Sequence, residues 1–454
     1  MTSRTAQAPS ARAVAARALA HAAESFPHLG PCPLDTAGLD DREARLALAI
    51  HRTALQRWLT LEFLLDGFLR QPMHALEAPL RGVLLSAAAQ LLFLPRLPAH
   101  AVVDESVRLA RRQVRPGAAG LVNAVLRRLA PLVCNPVPDQ PWSPARDRLP
   151  LARGFLPLSE PLLPDPELLD AHLAAATSHP LDLVRHWLAA LGPERTMALC
   201  VHDLRTPPTL VAVEPGFSAS SVENIPTPTA AGAGFIVWNG SHDELSRFLA
   251  GDVHRRVQDP AAALAVQATA ELAPRRIVDF CAGRGTKTRQ LATLHPGTEI
   301  LAGDPDPQRL ADLRTVATCL PNVRVLTPAQ MRKLGPGTVD LLVLDVPCSN
   351  TAVLARRPEA RYRFSPATLR SLVRLQRGIV ASAKALPAPG GHILYTTCSL
   401  EEQENATQAR WIAATLHASM VREQLLLPAS GHAEIDPYYP FYHDGSYHAL
   451  LRCP

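Results

Sequence analysis

From Arg275 onward the chain alternates short apolar runs with stretches of helical period, and that alternation leaves few folds open. Residues 277–280, 299–302 and 323–326 read as strands, with helices over 286–294 and 307–318 between them. Residues 339–344 are apolar almost throughout, as a strand covered on both faces must be. A helix over 367–386 and a strand over 392–396 follow. The pattern predicts a doubly wound parallel sheet, whose ligands lie at the carboxyl ends of its strands.

The first strand runs into Asp279-Phe280-Cys281-Ala282-Gly283-Arg284-Gly285-Thr286-Lys287-Thr288. Glycines at a strand-to-helix turn let a ligand approach the backbone closely. Cys281, Ala282, Gly283, Arg284, Gly285, Thr286 and Lys287 are therefore candidate cofactor contacts. Asp304 ends the second strand, where a carboxylate accepts the hydroxyls of a ribose. A nicotinamide nucleotide and S-adenosylmethionine both suit these features. Thr288 stands where G-x-G-x-x-G needs its third glycine, which favours S-adenosylmethionine.

Two cysteines follow core strands. Asp345-Val346-Pro347-Cys348-Ser349 leaves the fourth strand, and Thr397-Cys398-Ser399 leaves the fifth, trailed by Glu401, Glu402, Glu404 and Asn405. One cysteine at a strand end is usually structural. Two, one of them beside an aspartate, suit covalent catalysis. Covalent catalysis of this kind needs an activated thiol and a nearby general acid.

Residues 11 to about 130 have helical period, with Pro98 opening one helix and Pro116-Gly117 separating two. Arg108, Arg111, Arg112, Arg115, Arg127 and Arg128 crowd this span against Asp104 and Glu105. Charge alone reads as a solvated face; phosphate binding is the functional alternative. Residues 133–177 hold nine prolines, from Pro136 to Pro166, a composition expected of an extended linker. Residues 178–255 read as a small α/β subdomain, and 256–454 as the parallel-sheet domain. Eight cysteines without a C-x-x-C pair argue against zinc and against a disulfide framework, so no metal is expected. No apolar run reaches the roughly 18 residues of a membrane span, and the polar, Ala-rich start has no secretory core, so no membrane partner and a cytoplasmic location are expected. A net charge of +5 tolerates a polyanion partner without requiring one. Only Lys287, Lys333 and Lys384 are lysines, which draws attention to Lys287 inside the turn.

Two blocks, LPAHAVVDESVRLARR and GLVNAVLRRLA, resemble the NusB-type RNA-binding helical fold over residues 11–132. DFCAGRGTKT, DVPCSNTAVLARRPEARYRF and LYTTCSLEEQEN resemble the Sun/Fmu family of RNA 5-methylcytosine methyltransferases, as does Gln258-Asp259-Pro260. The resemblance implies an all-α NusB-like bundle, a small α+β RNA-binding subdomain and a Rossmann-like class I methyltransferase domain. It implies S-adenosylmethionine as cofactor and RNA as partner, small-subunit ribosomal RNA ahead of transfer RNA, for a chain expected to be a monomer. It makes Cys398 the nucleophile, whose thiolate adds to C6 of cytosine so that C5 attacks the methyl sulfonium, Cys348 the helper of product release, and Asp345 the holder of the cytosine N3/N4 edge and a cofactor neighbour. The need for a methyl donor is the second reason to favour S-adenosylmethionine. The departures are Gly283, Arg284 and Thr286 in the first motif, Asn350 and Ala352 where the family has glycines, and Thr327-Pro328-Ala329 in place of an Asp after the third strand. Those departures leave a second possibility open: an RNA-binding assembly factor with a degenerate catalytic domain, which cofactor binding would discriminate.

Overall fold

The computed structural model describes residues 10–213, 234–429 and 442–454. Residues 1–9, read above as lacking a secretory core, and 214–233, inside the stretch read as a small α/β subdomain, lie outside that range. The chain divides into two units, 1–206 with 357–365, and 207–356 with 366–454.

The first unit is helical, and its helices start where short polar side chains can cap them. Ser10 and Asp40 accept from backbone N–H groups at the starts of Ala11–Ser25 and Asp41–Gln56. Helix Ala78–Phe93 crosses Ala11–Ser25 at Gly82, where a Cβ would stand 2.3 Å from the Ala16 carbonyl oxygen. Pro98 precedes helix Ala99–Leu109, and Pro116-Gly117 separates it from Ala118–Leu129, as expected. Several of the arginines here are partnered: Arg108 with Glu105, Arg115 with Glu77, and Arg128 over the ring of Phe68.

The proline-rich stretch corrects an expectation. Residues 133–177 are not a linker but part of this unit. They form a hairpin of Arg148–Pro150 with Phe155–Pro157 and the helix Leu169–Thr177. Leu149, Leu156, Leu158 and Leu163 join the core built on Trp58 and Leu84. Proline fixes the backbone as extended, but the leucines between the prolines decide where it lies. The boundary at 178 is corrected too: helices Leu181–Leu191 and Pro193–His202 also belong to the first unit. Residues 357–365 rejoin this unit late in the chain. Arg361 is fully buried there, donating to the carbonyls of Gln56, Thr177 and Asp203, while the Tyr362 hydroxyl donates to Leu55.

The second unit opens with a three-stranded antiparallel sheet, Phe235–Trp238, Thr209–Ala212 and Arg256–Val257 in that order. Its helix His242–Ala250 starts at a capping box of Ser241 and Glu244. The large sheet comprises β1 (Arg276–Asp279), β2 (Glu299–Ala302), β3 (Val323–Val325), β4 (Val339–Asp345), β5 (Pro387–Thr397), β6 (Ser419–Leu426) and β7 (Ser446–Arg452). Their order is β6-β7-β5-β4-β1-β2-β3. β1 to β5 run parallel as the alternation predicts; β6 and β7 extend the sheet antiparallel beyond β5. Strand order reverses between β1 and β4, so the carboxyl ends of these two strands flank the switch point where a ligand binds. Among the described residues no helix is long and apolar enough to cross a membrane.

Candidate active site

The turn after β1 is shaped by what its glycines allow. Gly283 and Gly285 have φ of +57° and +90°, backbone that L side chains rarely adopt. At Gly285 a Cβ would also press on Leu313 Cδ1 at 2.8 Å; at Gly283 it would meet open space, room for a ligand. The Gly283 N–H donates to Asp304 Oδ2 at 3.0 Å, and the Asp306 N–H to Oδ1 at 2.9 Å. Asp304 thereby ties the turn after β1 to the turn after β2. Asp279, not singled out from sequence, lies at the base of the turn. Thr288 donates to its Oδ2 at 2.7 Å, while its buried Oδ1 has no partner. Burial pushes this carboxyl up to about 7, and the charges of Asp345 and Asp304 push the same way, against Thr288 and Lys287.

These features fit S-adenosylmethionine: an orphaned Asp279 oxygen for its ammonium group, and open space at Gly283 beside the Asp304 carboxylate for the ribose. Cys281 and Ala282 continue the turn, and Thr286 and Lys287 begin helix Thr286–Leu294. Arg284 is the exception among the expected contacts. Its side chain is 76% exposed and ion-paired with Asp312 at 3.2 Å, so it joins the turn after β1 to the helix Pro307–Ala317 that follows β2. After β3, Thr327 and Gln330 form a capping box, where the resembling family carries an aspartate.

The register Thr396 opposite Asp345 brings the ends of β4 and β5 side by side, and the cysteines follow within three residues. The Cys398 N–H donates to Cys348 Sγ at 3.3 Å. Lys287 Nζ meets Asp345 Oδ2 at 2.7 Å. Burial alone would lower this lysine, but Asp345 and Cys398 hold its ammonium above the ordinary range. Burial pushes the Cys398 thiol up to about 11; Lys287 opposes that shift, and Asp345, Asp444 and Asp259 add to it. Cys348 is driven well above a free thiol by burial, then by Cys398 and Glu404. The family glycine replaced by Asn350 has φ of +61°, a conformation asparagine tolerates. Its side-chain amide donates to the Cys348 carbonyl at 2.9 Å, so the substitution keeps the turn.

Two clusters escaped the sequence reading. Arg356 binds Asp444 at 2.6 Å and Asp259 at 3.3 Å, and burial with the Asp444 charge pushes Asp259 up to about 7. Glu404 lies buried between the residues that follow the two cysteines. For the first, Asp259 and Arg356 stand in two separate resembling blocks, and nothing along the chain joins them to each other or to Asp444. For the second, Glu404 stands inside the block LYTTCSLEEQEN, but a glutamate in a polar run reads as solvated and nothing local marks its burial. No group of three or more His, Cys, Asp or Glu among the described residues is arranged to hold a metal.

The profile of the NusB family matches residues 9–131, and that of the 16S rRNA methyltransferase RsmB/F family matches 266–443. The ribosomal RNA small subunit methyltransferase B of Xanthomonas campestris is 31% identical over 375 residues, 81% of this chain and 79% of that protein. The chain belongs to the RsmB/F methyltransferase family. The protein of the same description from Pseudomonas putida is 28% identical over 413 residues, 87% of this chain and 86% of its own. The crystal structure of PH0851 shares the fold, with a TM-score of 0.69 at 19% identity over 98% of this chain and 99% of that one. An RsmB/F protein is an RNA methyltransferase that depends on S-adenosylmethionine, which removes the nicotinamide alternative. The NusB-like head expected from two sequence blocks is matched over nearly the same residues.

Proposed function

We propose that this RsmB/F protein methylates C5 of a cytidine in small-subunit ribosomal RNA through a covalent bond between Cys398 and C6. The observation that carries the reading is the unequal surroundings of two neighbouring thiols. Cys398 has the Lys287 ammonium beside it, which favours a thiolate, whereas Cys348 faces the Glu404 carboxylate, which disfavours one. The attacking thiol is therefore Cys398.

S-adenosylmethionine supplies the methyl group as a sulfonium when bound. The chain does the rest. Asp279 and Asp304 anchor the cofactor's ends, and Lys287 holds Asp345 in place at the head of β4. Asp345 meets the N3/N4 edge of the base and relays to N3 the proton that the Cys398 thiol gives up as sulfur adds to C6. After transfer, solvent water takes the C5 proton, the freed electron pair closes the C5–C6 double bond as the C6–S bond breaks, and Cys398 leaves as thiolate and recovers the proton from N3; Cys348 assists this half. C6 is shielded inside a helix, so the cytidine is taken unpaired or flipped. The ribosomal target rests on the descriptions of the relatives and on the NusB-like domain.

Bisulfite sequencing of ribosomal and transfer RNA from cells with and without the gene tests this. One cytidine of small-subunit RNA should lose protection without the gene. Loss in transfer RNA alone would move the substrate, and no loss anywhere would sink the reading. Calorimetry with S-adenosylmethionine separates an enzyme from an assembly factor with a degenerate site.

A further inference from the structure

The parallel ladder between β4 and β5 ends at the pair Asp345 and Thr396. Beyond it each strand enters the loop that carries its cysteine, and the spacing of the two thiols depends on what joins those loops. Glu404 joins them. Its carboxylate accepts from the Ser349 hydroxyl at 2.5 Å and the Ser349 N–H at 3.1 Å, immediately after Cys348. It accepts from the Ser399 hydroxyl at 2.7 Å, immediately after Cys398. Gln376 donates a further bond at 2.9 Å, and the Tyr395 hydroxyl, rising from β5 itself, donates to the Glu404 carbonyl at 2.7 Å. The next residue completes the clamp: Asn405 accepts from Thr397 and donates to the Ser399 carbonyl, on either side of Cys398.

These donors are hydroxyls and amides, none of them a cation. A fully buried carboxylate held this way is costly compared with an apolar residue. Burial raises the Glu404 carboxyl, and the bonds from Ser349, Ser399 and Gln376 work to keep it ionised. What the arrangement gains is geometry: one rigid group fixes two loops that the sheet no longer pairs.

We propose that Glu404 is a positioning residue for methyl transfer, which sets the spacing of the two cysteine loops by accepting hydrogen bonds from the residue that follows each cysteine. The proposal rests on the reading of Cys398 and Cys348 given above. In that chemistry the nucleophile attacks in the first half and the helper acts on the same base in the second, so a shift of one loop against the other harms both halves. Glu404 is fully buried, so it acts through the two loops and not on the base.

The test compares Glu404→Gln, Glu404→Ala and Ser399→Ala with the full chain, using undermodified ribosomal RNA from cells lacking the gene. Glu402→Gln is the control on the same turn, since Glu402 is exposed and bound to Arg410. Glutamine keeps an acceptor for one loop; alanine keeps none. The expected kcat order is wild type, then glutamine, then alanine, with losses of about tenfold to hundredfold for a misplaced reacting group. KM for RNA and Kd for S-adenosylmethionine should stay near wild type. A second readout needs no methylation: the rate at which iodoacetamide alkylates each cysteine, followed by mass spectrometry across pH. The charged and titratable groups facing Cys348 are Cys398, Glu404 and Tyr395. Removing the Glu404 charge should therefore move the Cys348 profile to lower pH, and that of Cys398, beside Lys287, much less. Should Glu404→Ala fail to fold, Ser399→Ala, which frees only the Cys398 side, carries the test with a smaller loss of kcat. Unchanged kcat and unchanged alkylation profiles in Glu404→Gln would overturn the proposal alone. A loss of kcat matched by an equal loss of cofactor affinity would also overturn it, as general damage. Full activity in Cys398→Ala would remove the reading of the cysteines, and this proposal with it.

Discussion

The backbone N–H of Cys398 donates to the sulfur of Cys348 at 3.3 Å, so the two thiols share one site while their charged neighbours differ. Lys287 stands by one and Glu404 by the other. Each prediction below follows from that asymmetry or from the cofactor turn beside it.

Replacing Lys287 with Met removes the cation and keeps the length of the side chain. Cys398, already raised to about 11 by burial, should rise further. Its alkylation at pH 8 should slow by about tenfold, in step with the thiolate fraction. An unchanged rate would mean that Lys287 serves only Asp345.

Cys398→Ala should abolish methyl transfer and leave the Kd for S-adenosylmethionine near wild type, because the thiol meets the base and not the cofactor. Isothermal titration alongside a tritium-transfer assay measures both. Residual turnover near wild type is the outcome that contradicts the assignment.

Asp304→Ala should weaken cofactor binding by about 1–3 kcal/mol, the usual cost of deleting an acceptor opposite buried hydroxyls. The same change releases Gly283 and Asp306, whose N–H groups Asp304 accepts. Asp304→Asn, which keeps one acceptor oxygen, should lose less. Equal affinity in all three proteins would show that the ribose lies elsewhere.

The parts of this molecule that could be read along the chain are those whose signal is local. β1, β2 and β4 announce themselves because a buried parallel strand has to be apolar on both faces, and each was placed within a residue or two of its observed bounds. β6 gave no such signal: nearly every residue of Ser419–Leu426 is exposed, so no alternation marks it. The proline-rich stretch misled for the opposite reason. Its composition is that of a linker, but Leu149 and Leu156 find a core contributed by helices far away in sequence. The site divides in the same way. Cys348, Cys398 and Asp304 sit in short strand-end motifs. Glu404 acquires its role only when folding brings Ser349, 55 residues earlier, against it.

Asp279 makes a pH prediction whose sign can be worked out. Its carboxyl sits at about 7 in the folded protein, above the unfolded value near 3.8. The folded state therefore binds this proton more tightly. The stability it contributes is fully present below about pH 4 and is lost as pH rises through about 7. Asp279→Asn should remove that component, so the difference in melting temperature between variant and wild type should change across pH 4–7 in the variant's favour. Cofactor binding should show the reverse dependence in wild type. The ionised carboxylate suits an ammonium group, so affinity should rise from pH 6 to pH 8 and the variant should show little change. Parallel profiles in the two proteins would place the titrating group elsewhere.

The last prediction separates the cysteines by what each variant accumulates. If Cys398 attacks C6, an enzyme–RNA adduct forms, and its resolution requires loss of the C5 proton and expulsion of the thiolate. A Cys348→Ala protein should attack at a rate near wild type and fail to release, because the sulfur that meets the Cys398 N–H is gone while Cys398 and Lys287 remain. A species linked to RNA should then survive denaturing gel electrophoresis and disappear in the Cys348→Ala/Cys398→Ala double variant. Its methyl content tells where the stall lies. A stall after transfer carries one tritiated methyl group per adduct, and a stall before transfer carries none. A merely structural role for Cys348 predicts lower thermal stability and no trapped species, since a cavity under the loop would not hold an adduct. Trapping by Cys398→Ala instead of Cys348→Ala would reverse the two roles. The neighbouring charges argue against that reversal: a nucleophile at Cys348 would have to ionise beside Glu404, whereas Cys398 has Lys287 to oppose its burial.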